Sequence, residues 1–456
     1  MKIMMISSNT AMSPYPIYPL GLSVVSGALR AAGHEVRQYD FLAENSSVES
    51  VMRAVREFGP GMIGISIRNI DNVNFMNMQF YIDTVRDIVS AVRKVTDSRV
   101  VLGGAGFSLM PELILQRTGA DFGIAGEGEE LMVEFVENAA KGMWPETSII
   151  GPRGHLSGNR IGGPYYDDVL MRYYLKSGNI ASVQTKRGCT HGCVYCSYPV
   201  LEGHKIRQRD HAAVIEDIKL LSEKHGAEYI FFVDSVFNDD EGRYLGLLEE
   251  MARQGVNVPW TGFFRPGGLT DDIVRLMKRT GLIAVEIGSD AACDTTLRKM
   301  GKGFTFQDIT ACNELFARHD IAASHFIMMG GPGETEETVK EGIDNIKSLR
   351  KCVVFIFMGI RILPSTVLER IALREKVITA DADMLDPLYY ISPHVGKDWL
   401  EKTLTGAFSE TRNCIFPPDA YDNTLRMLHK LGYPGTLWNL ILVDKKRHAK
   451  KRHAAN

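Results

Sequence analysis

Apolar and polar positions alternate along the first 140 residues in a regular order of short buried strands and amphipathic helices. Apolar runs of strand length occur at 2–7, 61–67 and 99–104, and stretches with helical periodicity at 20–36, 46–59 and 80–95 separate them. Strands that alternate with helices of this length predict a parallel sheet with helices on both faces. Because such sheets bind ligands beyond the carboxyl ends of their strands, we expect a Rossmann-like domain with a binding edge there.

The alternation stops at residues 143–179, a stretch rich in glycine and proline that we interpret as a linker, and then resumes. Six strand patterns separated by helical patterns follow, at 179–188, 229–234, 258–265, 283–288, 323–330 and 353–363. Six βα units predict a (βα)6 partial TIM barrel, whose active site lies on the loops after the strands.

The predicted organisation is therefore α/β, with four parts. These are a Rossmann-like domain at 1–142, a linker at 143–179, a partial barrel at 180–375, and a small, mostly helical C-terminal cap with a basic tail at 376–456.

Composition changes this picture little. The chain has 456 residues, 45% of them hydrophobic, and a formal net charge of −3, which argues against a dedicated nucleic-acid-binding protein. We find neither a signal peptide nor an apolar run of the ~18 residues that span a bilayer, so the sequence predicts a cytoplasmic protein without a transmembrane segment. We interpret the basic tail as a solvated terminus, and contact with an anionic surface is the alternative.

Three of the seven cysteines lie within one short stretch, "CTHGCVYC", as Cys189, Cys193 and Cys196. Three thiolates from one loop can hold three corners of a [4Fe–4S] cube and leave one iron open for a small molecule. Zinc is an alternative, but zinc sites usually join two such ligands to two more at a distance, and the sequence has no second pair. A coincidental trio of buried cysteines is the other alternative; we favour the cluster.

This C-x3-C-x2-C spacing, with Tyr195 just before the last cysteine, resembles the signature of the radical S-adenosylmethionine (SAM) superfamily. Four later segments are similar to those of the family's barrel, in the same order: "FFVDSVFND", "VEIGSDAACDTTLRKMGKGFT", "IMMGGPGETEETV" and "RILPSTVLERIA". The resemblance implies a cluster that binds SAM at its open iron and cleaves it reductively to a 5′-deoxyadenosyl radical. It also implies an external electron donor of the flavodoxin or ferredoxin type.

The resemblance further implies site residues, and the three cysteines become the cluster ligands. The residues implied to contact SAM are Tyr195, Asp234, Ser235, Glu286, Ser289, Arg298 and Gly331. Tyr195 would pack beside the adenine, Asp234 or Ser235 would meet the amino group, and Glu286 and Ser289 would meet the ribose. Arg298, or its neighbour Lys299, would pair with the carboxylate. Surface ion pairs and a plain strand-to-helix turn at Gly331 are the alternatives, and no catalytic residue is assigned.

The N-terminal domain resembles the cobalamin-binding domain of the cobalamin-dependent radical SAM proteins, through "YPLGLSVVSGALRAAGHEV", "GMIGISI", "VVLGGAGFSLMPELIL" and "ADFGIAGEGEE". The residues implied to contact cobalamin are Tyr18, Leu20, Gly21, Arg68, Gly103, Gly104, Gly126, Glu127 and Gly128. A D-x-H-x-x-G segment is absent, so no histidine of that motif ligates the cobalt, and Arg68 is the candidate for its lower side. Glycines needed only for tight turns, and a plain polar loop at Arg68, are the alternatives.

The whole layout resembles class B methyltransferases and is closest to the members associated with lipid and secondary-metabolite biosynthesis. It implies C-methylation of an unactivated carbon in a small, possibly lipid-like molecule. The alternative is a radical SAM enzyme that forms or rearranges C–C bonds, or cyclises its substrate, with a structural N-terminal domain. An iron–sulfur sensor is a third, non-catalytic hypothesis. A methylthiotransferase is disfavoured, because no cysteine precedes Cys189.

Overall fold

The computed structural model of the chain describes residues 1–152 and 154–442. The chain forms two compact units. The first contains residues 1–177, 181–227 and 361–390, and the second contains residues 178–180, 228–360 and the chain from Ile391 onward. The predicted domain boundaries stay a prediction, and the predicted basic tail lies outside the described residues.

The elements are numbered in chain order. The strands are β1 (Lys2–Ser7), β2 (Glu35–Asp40), β3 (Met62–Ser66), β4 (Arg99–Gly103), β5 (Phe122–Ile124), β6 (Ile149–Ile150), β7 (Ile180–Val183), β8 (Lys186–Arg187), β9 (Arg207–Gln208), β10 (Tyr229–Phe232), β11 (Trp260–Phe264), β12 (Ala284–Asp290), β13 (Ala322–Met329), β14 (Cys352–Met358), β15 (Ile360–Arg361), β16 (Tyr389–Tyr390) and β17 (Cys414–Ile415). The α-helices are α1 (Leu20–Ala31), α2 (Val48–Phe58), α3 (Ile82–Arg93), α4 (Ala105–Leu109), α5 (Pro111–Thr118), α6 (Gly128–Ala140), α7 (Asp168–Leu175), α8 (Tyr198–Glu202), α9 (His211–Lys219), α10 (Arg243–Arg253), α11 (Asp271–Arg279), α12 (Asp294–Lys299), α13 (Phe306–Arg318), α14 (Glu336–Ser348), α15 (Val367–Arg374), α16 (Lys397–Phe408), α17 (Asp422–Lys430) and α18 (Trp438–Leu442).

The first unit is built on a parallel six-stranded sheet in the order β2-β1-β3-β4-β5-β6. Helices α2, α3 and α5 pack on one face through residues such as Val51, Val85 and Ile114. Helices α1 and α6 cover the other face, with Leu22 and Phe135 in the core. The predicted Rossmann-like domain is therefore confirmed. The strand order reverses between β1 and β3, because β2 lies on the far side of β1 and β4 on the far side of β3. Sheets of this kind bind ligands at such a point, so we expect a ligand at the carboxyl ends of β1 and β3.

The second sheet has seven strands in the order β17-β14-β13-β12-β11-β10-β7, and neighbours from β10 to β17 are parallel. Six of these strands are the predicted ones, so the barrel-like fold is confirmed. The seventh, β17, pairs Cys414 with Val354 and was not predicted, because two residues carry no readable pattern.

The two faces of this sheet have different coverings within the second unit. The crossover helices cover one face: Asn313 of α13 and Gly342 of α14 lie against His325 and Met329 of β13. The opposite, inner face carries Ala284, Val353 and Phe355, and part of it packs against Trp438 and its neighbours from the C-terminal helices. None of the described helices combines the length and the hydropathy that crossing a bilayer requires.

Candidate functional site

The cysteine loop projects from a short antiparallel ladder in the first unit. Strands β8 and β9 pair Lys186 with Gln208 and Arg187 with Arg207, which closes the base of the loop that runs from 188 to 206. The N–H of Arg209 donates to the carbonyl of Thr185 at 2.9 Å and extends this base. The three cysteines therefore stand on a loop whose two ends are held together.

Gly188, which precedes the first cysteine, has a conformation that only glycine tolerates well. Its φ is +94°, and a Cβ atom there would lie 2.1 Å from the carbonyl oxygen of Lys205. The Gly188 N–H donates to the Glu202 carboxylate at 2.9 Å, and the Cys189 N–H donates to the Gly203 carbonyl at 3.1 Å. The sequence around the cysteines therefore specifies how the loop turns back on itself.

The cysteine side chains suit an iron–sulfur cluster. Cys189 is buried, whereas Cys193 and Cys196 are half-buried and a turn brings the Cys196 N–H to the Cys193 carbonyl at 3.2 Å. Among residues 1–152 and 154–442, no three His, Cys, Asp or Glu side chains converge as ligands of one metal ion. A cube offers a separate iron to each thiolate, so its ligands need not converge. The donor set therefore fits a cluster.

The other four cysteines lie in the second unit and are buried. Burial raises the pKa of Cys312 and of Cys352 to about 12 and that of Cys414 to about 11, and it also raises the pKa of Cys293. These groups stay protonated at neutral pH, and a protonated thiol is a poor metal ligand.

Ion pairs tie the base of the cysteine loop to the segment after β5. The Arg187 guanidinium lies 2.6 Å from the Glu129 carboxylate, and the Arg207 guanidinium lies 2.5 Å from the Glu127 carboxylate. All four side chains are buried, and Glu127 also accepts from the Leu156 N–H at 2.7 Å. Burial alone would raise the pKa of Glu127, but the hydrogen bonds and the two arginines hold it below its ordinary value. The Glu127 carboxylate thus serves this network, and its contact with cobalamin stays a prediction.

The structure collects the predicted cobalamin residues at the carboxyl edge of the six-stranded sheet. Gly103 and Gly104 follow β4, and Gly126 to Gly128 follow β5. Ser108 joins the two turns: its hydroxyl donates to the Gly104 carbonyl and accepts from the Gly126 N–H, each at 2.8 Å. Gly104 has φ +98°, and a Cβ there would lie 2.5 Å from the carbonyl oxygen of Ile67. Glycine at position 104 is thus required by the packing of the turn itself, with or without a contact to cobalamin.

The residues at the start of α1 contribute unequally to this edge. Tyr18 is buried, and its hydroxyl lies 3.3 Å from that of Ser23 and 3.4 Å from the Asp167 N–H. Burial raises the pKa of Tyr18 far above its ordinary range. Leu20 is half-buried and Gly21 is exposed, so they present accessible surface to a ligand. All three contacts with cobalamin stay predictions.

Arg68 follows β3 and lies among tyrosine side chains of the first unit. Its side chain is exposed to water, yet the protein around it removes enough water to hold the pKa of the guanidinium below its ordinary value. Four nearby tyrosines act in the other direction and raise the pKa of the Arg68 guanidinium: Tyr15, Tyr81, Tyr174 and Tyr198. Tyr198 begins α8, two residues after the last cysteine of the loop. Arg68 is therefore a cation close to the cysteine loop within the first unit.

The loop that carries Arg68 is anchored by a buried ion pair that the sequence analysis missed. The Arg361 Nε donates to the Asp71 carboxylate at 2.7 Å, and both side chains are almost completely buried. The same guanidinium donates to the carbonyls of Ile362 and Met384 at 2.7 and 3.0 Å. No pattern in the sequence joins residues 290 positions apart, so only the fold shows this pair.

In the second unit, Glu286 and Ser289 point in different directions. Ser289 is fully buried toward the crossover helices, where its hydroxyl lies 2.8 Å from Nδ1 of His325. Burial lowers the pKa of His325 to about 3, so its ring is neutral. Glu286 lies on the inner face, where its carboxylate accepts from Trp438 Nε1 at 3.3 Å. The shared contact of both residues with the ribose of SAM stays a prediction.

The glycine turn after β13 is organised by a buried carboxylate. Glu334 accepts from the N–H groups of Gly330 and Gly331, the latter at 2.9 Å. Burial raises the pKa of Glu334 to about 7, against the effect of these hydrogen bonds. The Gly331 N–H is therefore committed to Glu334, and the predicted close approach of SAM would use the rest of the turn.

The remaining predicted SAM residues are spread over both units. Tyr195 is half-buried in the cysteine loop, Asp234 and Ser235 follow β10 as a buried and a half-buried residue, and Arg298 is exposed on α12. The Arg298 guanidinium donates only weakly, to Thr295 at 3.4 Å. These contacts stay predictions.

Two domain families match the chain. Residues 6–136 match the B12 binding domain and residues 183–346 match the Radical SAM superfamily. The first match runs from the end of β1 into α6 and includes β2 to β5, and the second begins at the end of β7, just ahead of the cysteine loop. The two kinds of domain inferred from the motifs are therefore confirmed.

Known methyltransferases are similar to the chain over most of its length. The tryptophan 2-C-methyltransferase of Streptomyces laurentii is 24% identical, over 76% of this chain and 71% of the relative. An uncharacterized methyltransferase of Pyrococcus horikoshii is 26% identical, over 73% of each chain. The structure of the radical SAM methyltransferase from Kitasatospora setae, with tryptophan and a SAM analogue bound, has a TM-score of 0.85 at 23% identity and covers 100% of both chains. The fold is thus shared from end to end, and the chain joins a B12 binding domain to a radical SAM domain, as its motifs predict.

Proposed function

We propose that this enzyme is a cobalamin-dependent radical SAM methyltransferase that transfers a methyl group from SAM to an unactivated carbon of a small molecule. One observation carries the proposal: the cysteine loop and the predicted cobalamin edge belong to the same compact unit. Within it α8, which follows the cysteines, lies against α4, which follows the Gly103–Gly104 turn. Methyl transfer through two cofactors needs them close together, and this arrangement supports that requirement.

The residues of the first unit suit both cofactors. Cys189, Cys193 and Cys196 would hold the cluster, and the glycine turns after β4 and β5 would let backbone approach the corrin. Arg68 would face the lower side of the cobalt, where a cation cannot act as a ligand. When bound, the cobalamin supplies a methyl carrier, and the cluster supplies the electron that cleaves SAM.

The substrates of similar proteins support a substrate class. Similar proteins include a tryptophan 2-C-methyltransferase and a methyltransferase whose structure contains tryptophan. We therefore propose a small secondary metabolite with an aromatic or heterocyclic part, rather than a lipid. A flavodoxin- or ferredoxin-type donor and a cytoplasmic location stay predictions.

The test is a labelling experiment on the reconstituted enzyme, with tryptophan and tryptamine as probes. SAM with a deuterated methyl group is supplied anaerobically, and the masses of the products are measured by mass spectrometry. We expect a product that has gained the label and that forms only when cobalamin is present. A changed product without the label would favour C–C bond formation, cyclisation or rearrangement.

A further inference from the structure

One buried carboxylate of the second unit lacks the partner that its burial calls for. Glu286 is 5% exposed, and one of its carboxylate oxygens accepts from Trp438 Nε1 at 3.3 Å. Within residues 1–152 and 154–442, the structure shows no hydrogen bond to the other oxygen and no basic side chain paired with Glu286. Burial raises the pKa of the Glu286 carboxyl to about 8. A buried carboxylate is normally paired, so this one is an exception that requires an explanation.

The position of Glu286 in the sheet puts its side chain on the inner face, away from the crossover helices. In the strand register Glu286 is opposite Phe263 of β11 and Ser324 of β13. Trp438, which reaches it, belongs to the C-terminal cluster that covers the same face. Glu286 therefore lies on the inner face of the sheet, beside the Trp438 cluster and opposite the partly exposed Phe263.

Aromatic rings border this carboxylate. Phe263 is 37% exposed, and its ring makes an edge-to-face contact with that of Phe231, with the ring centroids 5.0 Å apart. Phe326, half-buried on β13, stacks on Phe355 at 5.3 Å, and Phe355 meets Trp438 at 4.9 Å. An exposed aromatic ring beside a buried carboxyl that can ionise suits a ligand that has an apolar body and a positive charge.

We propose that Glu286 binds the ammonium or N–H group of the substrate, whose apolar part lies against Phe263. This inference rests on the proposed function and narrows its substrate class to amine-bearing small molecules. A ribose hydroxyl of SAM is the competing occupant for the same oxygen. The amine is favoured because a hydroxyl donates a hydrogen bond but no charge, whereas an ammonium group also stabilises the ionised form of the buried carboxyl.

The test compares matched amines and hydrocarbons on the reconstituted full-length enzyme. Tryptamine and phenethylamine are paired with 3-ethylindole and ethylbenzene, and binding is measured anaerobically by equilibrium dialysis near pH 8.5, where the Glu286 carboxylate is mostly ionised. The variant is Glu286→Gln, which keeps the shape and removes the charge. Glu249→Gln makes the same change on the exposed side of α10 and serves as the control.

We expect the wild-type enzyme to prefer at least one amine over its hydrocarbon, and Glu286→Gln to lose roughly ten- to a hundredfold in affinity for that amine. Glu249→Gln should keep the preference, and SAM should bind equally well to all three proteins. Melting temperatures check that Glu286→Gln is folded.

Three results would overturn the inference: a wild-type enzyme that shows no amine preference, a Glu286→Gln variant that keeps it, or a loss confined to SAM binding. The third result would assign Glu286 to the ribose. Cobalt retained per chain is measured on the same samples. Its absence would defeat the proposed methyl transfer without bearing on the amine site, so the two failures are distinguishable.

Discussion

Buried ionisable groups have different partners in two regions of the molecule. Around the cysteine loop and the Arg68 loop of the first unit, they occur in pairs, as between Arg207 and Glu127 or Arg361 and Asp71. On the second unit's sheet Asp290 pairs with Lys302, but Glu286, His325 and, in the turn after β13, Glu334 are buried with no opposite charge beside them among the described residues. Paired charges fix the shape of a loop, whereas a solitary buried group keeps an altered pKa and the capacity to bind a partner. The comparison separates residues that support the site from residues available for chemistry.

The largest effect is expected where a pair is broken. Arg361→Met leaves the Asp71 carboxylate buried without its cation, so we expect the free energy of unfolding to fall by about 3–5 kcal/mol. Urea unfolding measures this loss. The double variant Asp71→Asn with Arg361→Met should recover a substantial part of it, because no charge is then stranded. Additive losses in the double variant would show that the ion pair is not what holds the loop.

A smaller effect of opposite sign is expected at Glu286. The folded state keeps this carboxyl protonated up to a pKa of about 8, whereas in the unfolded chain it ionises near the ordinary glutamate pKa of 4.5. Stability from this group is therefore complete below about pH 4.5 and is lost as the pH rises through 8. Relative to the wild type, Glu286→Gln should gain on the order of a few kcal/mol between pH 5 and pH 8.5. A constant difference across this range would contradict the burial of a solitary carboxyl.

The smallest effect is expected at His325, and it has the reverse pH dependence. The folded ring stays neutral down to a pKa of about 3, while the unfolded chain takes up a proton near 6.5. Stability from this group is present above pH 6.5 and is lost as the pH falls below it. His325→Gln should cost about 1 kcal/mol at pH 7.5 and close this gap to the wild type by pH 5.5. A gap that widens toward acid pH would refute the neutral ring.

Much of the fold could be predicted from the sequence, because each long strand and helix has its own local pattern of apolar and polar residues. The strands β10 to β14 follow from apolar runs bounded by turns, whereas β8, β9 and β17, of two residues each, carry too little pattern. The three clustered cysteines could be picked out as candidate ligands because they lie within one loop. The surroundings of Glu286 could not, since Trp438 is 152 residues away in the chain.

The face of the sheet on which the Ser289 side chain lies could not be predicted from the sequence either. The register between β12 and β13 shifts between Ile287 and Asp290, so simple alternation along the strand does not say which face Ser289 occupies. Its partner His325 is set by the packing of the sheet against α13. Side-chain roles that depend on register and on distant partners require the structure.

The central claim, that one chain holds both a cluster and a cobalamin, is tested most directly by counting metals. The enzyme is reconstituted anaerobically with iron, sulfide and hydroxocobalamin, desalted, and analysed for iron and cobalt. The account predicts about four iron atoms and about one cobalt per chain. With Cys189, Cys193 and Cys196 replaced by alanine, it predicts loss of the iron with the cobalt retained. Wild-type protein that keeps its iron but no cobalt would contradict the account.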